Sequence, residues 1–402
     1  MNETKWIKPW HGAVRNVVFA VLAPYTVLKY GVKVEKFSAQ GERPYLVLYN
    51  HQTPFDQFFV GMAFKGAVYY LATEDIFSLG AVSSVLKALV APIPIKKQTT
   101  DIAAVRACIR VAREGGTIAL APEGNRTYSG KTEYINPAIA ALAKKLRLPI
   151  ALFRIEGGYG VQPRWSDKVR RGHMRAYVSR VVEPEEYSKL TNGELYSLIV
   201  SSLAVNEGAP GGRFRSKRKA EYLERAIYVC PYCGLSSFES RGNTTRCTKC
   251  GREISYGEDK KLTGEGFTFP FSYVNDWYEY QCDYIRALDL SQYTAAPVYR
   301  DTVRLYEVIV YKTRHRLMKN ASLSLYGDRA VINEGEETEL NIPFVDASAF
   351  TCLGRNKLNI YFGDKVYQIK GNKRFNALKY VNFFYLSKNI VKGDNNGKFL
   401  GL

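Results

Sequence analysis

The sequence predicts an α/β domain with a mixed, largely parallel sheet, then a small cysteine-bearing module, then a C-terminal β-rich domain closed by a helix. Three observations predict this. Short apolar runs alternate with amphipathic stretches as far as residue 205. Two Cys-x-x-Cys pairs follow between residues 230 and 250. Beyond about residue 265, brief β-rich segments are divided by Gly, Asn and Asp turns.

Residues 1–40 read as helical, broken at Pro24. A buried strand at 45–49 (YLVLY) stops at Asn50, and a helix follows to about residue 64. Strands are expected at 67–71, 91–95, 117–121, 149–155 and 174–181, with helices at 83–89, 102–113, 137–146 and 192–205. Asp101 is placed to cap the helix at 102–113, and Gly115-Gly116 to end it. Residues 207–227 begin with glycines and a proline and continue into Arg213, Arg215, Lys217, Arg218 and Lys219, a basic linker. The expected organisation is therefore 1–206, a linker at 207–227, a cysteine module at 228–258 and a β domain at 265–392. Within that last domain, strands fall at 304–312, 323–326, 330–332, 339–342, 357–362 and 365–369, with a helix at 375–386.

Fifty-seven basic residues against 38 acidic ones give a formal net charge of +19. That excess favours a polyanionic partner, either an anionic lipid surface or nucleic acid. No apolar run reaches the roughly 18 residues of a spanning helix. The stretch 17–28 (VVFAVLAPYTVL), flanked by Arg15 and Lys29 and preceded by Trp6 and Trp10, suits a helix in the membrane interface or a buried one. Seven cysteines, four of them in close pairs, are too few for a secreted disulfide scaffold and imply a reducing compartment.

Two strand-end loops carry the candidate chemistry. Asn50 to Asp56 reads NHQTPFD, so His51 leaves a strand end five residues before Asp56. If the loop turns back, the carboxylate fixes the imidazole tautomer and stabilises its protonated form, as a base acting on a hydroxyl requires. Asp56 as a mere helix cap remains the alternative. The second loop, APEGNRT, follows the strand TIALA, and its Glu123 stands 72 residues after His51. Parallel strands would bring the two loops to one rim, where ligand crevices open. Gly124 would let the backbone approach a ligand, and Arg126 offers a planar donor fork suited to phosphate. Lys97, at the end of APIPIKK, could add positive charge or lie on the surface.

NHQTPFD, APIPIKK, APEGNRT and LPIALFRIEGG, in this order, resemble the four blocks of the glycerolipid acyltransferases that include lysophosphatidic acid acyltransferase. The resemblance covers residues 10–205 and implies an α/β acyltransferase-like domain. By matching position it implies His51 as the base and Asp56 as its support. It also implies that Glu123, Gly124 and Arg126 bind the acceptor's phosphate end. Implied partners are an acyl-CoA or acyl-carrier protein donor and a lysophospholipid acceptor at an anionic membrane surface, which places the chain peripherally on the cytoplasmic face. Thr53 stands where the family usually has serine, Asn125 where threonine is common, Lys97 where arginine is usual, and Leu152 where a proline is expected. These departures leave the acceptor open.

Cys230, Cys233, Cys247 and Cys250 form two CxxCG knuckles 13 residues apart, a spacing that converges on one structural Zn2+ and resembles a zinc ribbon. A zinc ribbon in a basic chain also fits nucleic-acid binding, with Arg241, Arg246, Lys249 and Arg252 nearby and the first domain inactive. Intact His51/Asp56 and Glu123/Arg126 sets weigh against that reading. The C-terminal domain loosely resembles a pleckstrin-homology-like fold.

Overall fold

The structure is a computed structural model that describes residues 5–73, 77, 81–95, 101–309, 312–393 and 399–401. The chain divides into two compact units, Met1–Arg164 with Val169–Arg215, and Trp165–Lys168 with Ser216–Leu402.

The first unit opens with helix α1 (His11–Tyr30), strand β1 (Val32–Val34), β2 (Leu46–Tyr49) and α2 (Asp56–Ala63). Next come β3 (Val68–Thr73), α3 (Ala81–Val90), β4 (Ile93–Ile95), α4 (Ile102–Arg113) and β5 (Thr117–Leu120). It continues through α5 (Ala138–Leu146), β6 (Ile150–Glu156), α6 (Gly158–Val161) and β7 (Met174–Val182) to α7 (Pro184–Tyr187) and α8 (Asn192–Leu203). The seven strands form one sheet in the order β1-β7-β6-β2-β5-β3-β4, mixed because β6 and β7 run antiparallel while the other pairings are parallel. Leu46, Leu48, Ile118, Ile150 and Leu152 face one apolar cluster, and Tyr45, Val47, Tyr49, Ala119 and Phe153 face the other. A sheet covered on both faces explains why these strands read as continuous apolar runs instead of alternating ones. The Asp101 carboxylate accepts the Ala104 N–H at 3.0 Å, and Gly115 takes φ +82°, so α4 starts and stops where the sequence predicts.

Three expectations for this unit are corrected. Residues 32–34, read as helical, form the edge strand β1 paired in parallel with β7. Pro24 does not break the first helix; α1 runs through it for 20 residues. The helix therefore outgrows the apolar run at its centre and is long and apolar enough, by length and composition, to cross a membrane. Val17, Val21, Tyr25 and Leu28 on it are exposed. The glycine- and arginine-rich stretch after residue 207 is also more than a solvated linker. Phe214 is buried against Gly160 and Gly172, where any added Cβ would collide with its ring, and Arg215 pairs with Arg171 through a β-bridge.

The second unit contains the hairpin β8 (Val229–Cys230) and β9 (Gly234–Leu235). A four-stranded antiparallel sheet follows, made of β10 (Phe238–Arg241), β11 (Thr244–Cys247), β12 (Glu253–Tyr256) and β13 (Leu262–Gly264) in that order. Helix α9 (Val274–Arg286) leads to β14 (Tyr299–Ile309), β15 (Thr313–Leu325), β16 (Arg329–Ile332) and β17 (Leu340–Pro343). Then come β18 (Ala347–Leu353), β19 (Lys357–Phe362), β20 (Lys365–Lys370) and α10 (Leu378–Val391). These last seven strands form an antiparallel sheet in the order β17-β16-β15-β14-β20-β19-β18. Helix α10 closes it, with Phe384 stacked on Phe350 at a ring separation of 4.5 Å. The expected β-rich end with a closing helix is present. Helix α9, strand β18 and the first half of β15 were not anticipated.

Candidate functional site

The C-terminal ends of three adjacent strands, β6, β2 and β5, build the site. Asn50 follows β2 and continues its ladder with a side chain. Its Nδ2 donates to the Ile155 carbonyl at 2.8 Å, and its Oδ1 accepts the Ile155 N–H at 2.7 Å. An amide side chain that replaces a peptide group in this way fixes where the next residue, His51, leaves the sheet.

The loop turns back as the spacing predicts. Asp56 is the first residue of α2 and is fully buried. Its Oδ2 lies 2.8 Å from His51 Nδ1 and accepts the Gln52 N–H at 2.6 Å, while Oδ1 accepts the Thr53 hydroxyl at 2.6 Å and the Thr53 N–H at 2.9 Å. Asp56 is thus more than a helix cap. Thr53 makes with its hydroxyl the bond that a serine there would make. With the carboxylate on Nδ1, the neutral imidazole carries its hydrogen there and presents Nε2 as an acceptor. Burial holds the His51 pKa below the ordinary histidine value, although Asp56 opposes this by hydrogen bond and charge; the positive charges of Arg126 and Arg164 add to the lowering. The imidazole is therefore neutral, and able to take a proton, at neutral pH.

The second loop reaches the first. Glu123 Oε1 accepts the His51 N–H at 2.7 Å, Oε2 accepts the Glu133 N–H at 2.8 Å, and Thr127 N–H donates to the His51 carbonyl at 3.3 Å. Burial pushes the Glu123 carboxyl up to about 8 despite those two backbone donors. Both Glu123 oxygens are engaged with backbone, so in this geometry the residue straps the histidine loop rather than facing a ligand. Gly124 differs from expectation in its reason: a Cβ there would meet nothing within 4 Å, but its φ of +67° favours glycine. The Arg126 carbonyl accepts from Arg164 Nη1 at 2.7 Å, and the Arg164 guanidinium lies 4.2 Å from the centroid of the Tyr128 ring. Lys97 lies outside the described residues.

Sequence reasoning did not anticipate Asn50, Thr53 or Arg164 as parts of this site. It also read the glycines of RIEGG only as part of a block. A Cβ on Gly158 would lie 2.6 Å from that of Gln52, so this glycine allows the turn after β6 to pack on the histidine loop.

In the second unit the four paired cysteines converge. The Sγ atoms of Cys230, Cys233, Cys247 and Cys250 all lie within 4.8 Å of one another, and those of Cys230 and Cys250 are 3.9 Å apart. Four thiolates at about 2.3 Å from a tetrahedral Zn2+ would sit about 3.8 Å from each other, so this donor set fits the ion in chemistry and spacing. Gly234 and Gly251 follow the two knuckles with φ +67° and +73°, the positive angles those turns need.

No curated protein matches the chain. Among solved structures it is similar to the 1-acyl-sn-glycerophosphate (LPA) acyltransferase PlsC from Thermotoga maritima, at 20% identity over 48% of this chain and 76% of that one, with a TM-score of 0.40. Residues 31–155 match the family model described as Acyltransferase. The matched span is under a third of the chain, and it contains both the His51–Asp56 pair and the Glu123–Arg126 loop.

Proposed function

We propose that the protein is an O-acyltransferase that moves a fatty acyl group from a thioester donor to the hydroxyl of a lysophosphatidic acid-like acceptor, with His51 as the base. The observation that carries this reading is the 2.8 Å contact between His51 Nδ1 and the buried, backbone-anchored Asp56, within a span matching an acyltransferase family. In the step, Nε2 of His51 takes the acceptor's hydroxyl proton as that oxygen attacks the thioester carbonyl carbon. A C–O bond forms, the C–S bond breaks, and the imidazolium returns the proton to the departing thiolate. Asp56 stabilises the imidazolium between these events. Arg126 holds the acceptor's phosphate, and Gly124 shapes the loop that presents it. Glu123 acts through the backbone of His51.

Acyl-CoA and acyl-carrier protein both satisfy this chemistry as donors. The exposed apolar side chains of α1 suit contact with a bilayer, and the formal net charge of +19 favours an anionic one, where a lysolipid acceptor resides. The four cysteines would hold one Zn2+ that supplies structural crosslinking only, since four thiolates leave no open coordination position. The β-rich end, with seven antiparallel strands and a closing helix, is read as pleckstrin-homology-like.

Labelled acyl-CoA and acyl-carrier protein, each incubated with a panel of lysolipids, test the proposal. Transfer to a lysophosphatidic acid-like acceptor by the parent and none by His51→Ala is the expected result. Equal transfer by the two proteins would sink the assignment of the base.

A further inference from the structure

The strand that delivers His51 is the middle one of three, with β6 on one side and β5 on the other. Both neighbouring loops touch the histidine loop. After β5, the Gly130 N–H donates to the Thr127 hydroxyl at 2.9 Å, and the Thr127 N–H donates to the His51 carbonyl at 3.3 Å. After β6, Gly158 lies against the side chain of Gln52, whose own N–H holds Asp56 Oδ2 at 2.6 Å. Loops make few contacts beyond the sheet they rise from, so a bond between two of them narrows the positions both can take.

One residue beyond α8 joins these two loops. The Glu207 N–H donates to the Gly130 carbonyl at 2.7 Å, while its Oε2 accepts the Gly157 N–H at 2.8 Å. On the Gly130 side the attachment is made by backbone. Lys131 and Asn206 form an antiparallel bridge, the Thr132 N–H donates to the Val205 carbonyl at 3.1 Å, and a Cβ on Gly130 would collide with the backbone of Gly208. On the Gly157 side it is made by the carboxylate, a charge-assisted bond of the stronger kind. Gly157 takes φ +78°, and a Cβ there would collide with the His173 carbonyl, so this turn meets Glu207 in one tight conformation.

We propose that Glu207 is a positioning residue for acyl transfer, tying the loop after β6 to the loop after β5 and so holding the His51–Asp56 pair between them. The proposal rests on the reading of His51 as the base, and it places part of the site outside residues 31–155, the span that matches the family model. Without the carboxylate, the Gly157–Gly158 turn is free to lift from Gln52, the residue whose N–H orients Asp56. A displacement of about 1 Å at the base is enough to cost about a hundredfold in rate. The same displacement would admit water to an imidazole whose pKa is held down by burial.

Two measurements on the full chain test this. In the first, kcat for transfer to a lysophosphatidic acid-like acceptor should fall about tenfold or more in Glu207→Ala. Glu207→Gln keeps an acceptor for the Gly157 N–H and should recover most of that loss. Glu207→Asp keeps the charge but withdraws the oxygen, so it should behave like the alanine variant and stands in for it if that variant melts early. In the Asp56→Asn background, Glu207→Ala should cost less than about threefold, because the pair it positions is already broken. The second measurement needs no turnover. The His51 ring is titrated by NMR in histidine-labelled protein, its signal identified among the four histidines by its absence in His51→Ala. Glu207→Ala should raise the His51 pKa toward the ordinary value as water enters, with Asp56, Arg126 and Arg164 still acting on the ring. Loss of a negative charge alone would lower it, so the direction of the shift separates loosening from electrostatics. A raised pKa in Glu207→Ala, with no acyl transfer by the parent, would sink the acyltransferase reading and leave the tether on His51. The tether itself is overturned if the His51 titration is unmoved in both Glu207→Ala and Glu207→Asp. It is equally overturned if Glu207→Gln loses as much rate as Glu207→Ala, or if the losses multiply in the double variant.

Discussion

Asp56 Oδ2 lies 2.8 Å from His51 Nδ1 while the N–H groups of Gln52 and Thr53 hold the same carboxylate at 2.6 and 2.9 Å. The carboxylate cannot rotate away from the imidazole without abandoning backbone donors. Its orientation is set before substrate arrives, the condition under which an orienting acid is most effective. Asp56→Asn should keep the fold and lower kcat by about 10³–10⁴-fold, because an amide in this position favours the wrong imidazole tautomer. Steady-state kinetics with a lysolipid acceptor measures this; a loss smaller than tenfold would contradict the pairing.

The acid limb of the kcat/KM profile should fall below the ordinary histidine pKa. Burial, Arg126 and Arg164 lower the His51 pKa, so the base stays neutral to lower pH and loses activity only as pH drops through that lowered value. Arg126→Met removes one of the positive charges and should move the limb upward, toward ordinary histidine. An unmoved limb in that variant would remove Arg126 from the surroundings of the base.

Glu123→Gln should reduce kcat while leaving KM for the acceptor little changed, because the side chain grips the backbone of His51 and Glu133. A residue contacting acceptor phosphate would show the reverse split. Stability supplies a second readout. A buried carboxyl at about 8 binds its proton more readily than the unfolded chain does, so its contribution is full at low pH and is lost as pH rises through about 8. The parent's Tm should therefore decline between about pH 5 and 8 more than that of Glu123→Gln.

Metal analysis should find one zinc per chain, and chelation or Cys247→Ser should lower the melting temperature of the second unit. Binding energy of a four-thiolate site is folding energy, so the loss should be visible without any change in the His51 chemistry. Unchanged melting after complete chelation would exclude a structural zinc at these cysteines.

The parts of the molecule legible in sequence are those whose physics is local. The apolar runs at 45–49 and 117–121 read as doubly buried strands, and Asp101 and Gly115 bound α4 through short-range capping. The illegible parts depend on partners far along the chain. Asn50 meets Ile155 105 positions later, and Glu123 meets the His51 N–H 72 positions earlier. Nothing local distinguishes that glutamate from a ligand-facing one. The start of β15 was missed for another reason: Arg314, His315, Arg316 and Leu317 are all exposed, so no alternation between buried and solvated faces marks the strand. Helix α9 hid behind its composition, since its buried set includes Asn275, Tyr278 and Gln281 beside Val274, Trp277 and Ile285.

The amide of Asn50 has a consequence for assembly of the sheet. It imitates a peptide group and fits both polar atoms of Ile155, a match available in one alignment of the two strands. Slippage by a single position would send every β2 side chain to the opposite face and leave that amide buried without partners. The residue beside the proposed base thus proofreads the strand pairing on which the position of the base depends. Misaligned chains would be penalised at the very point where misalignment would cost activity.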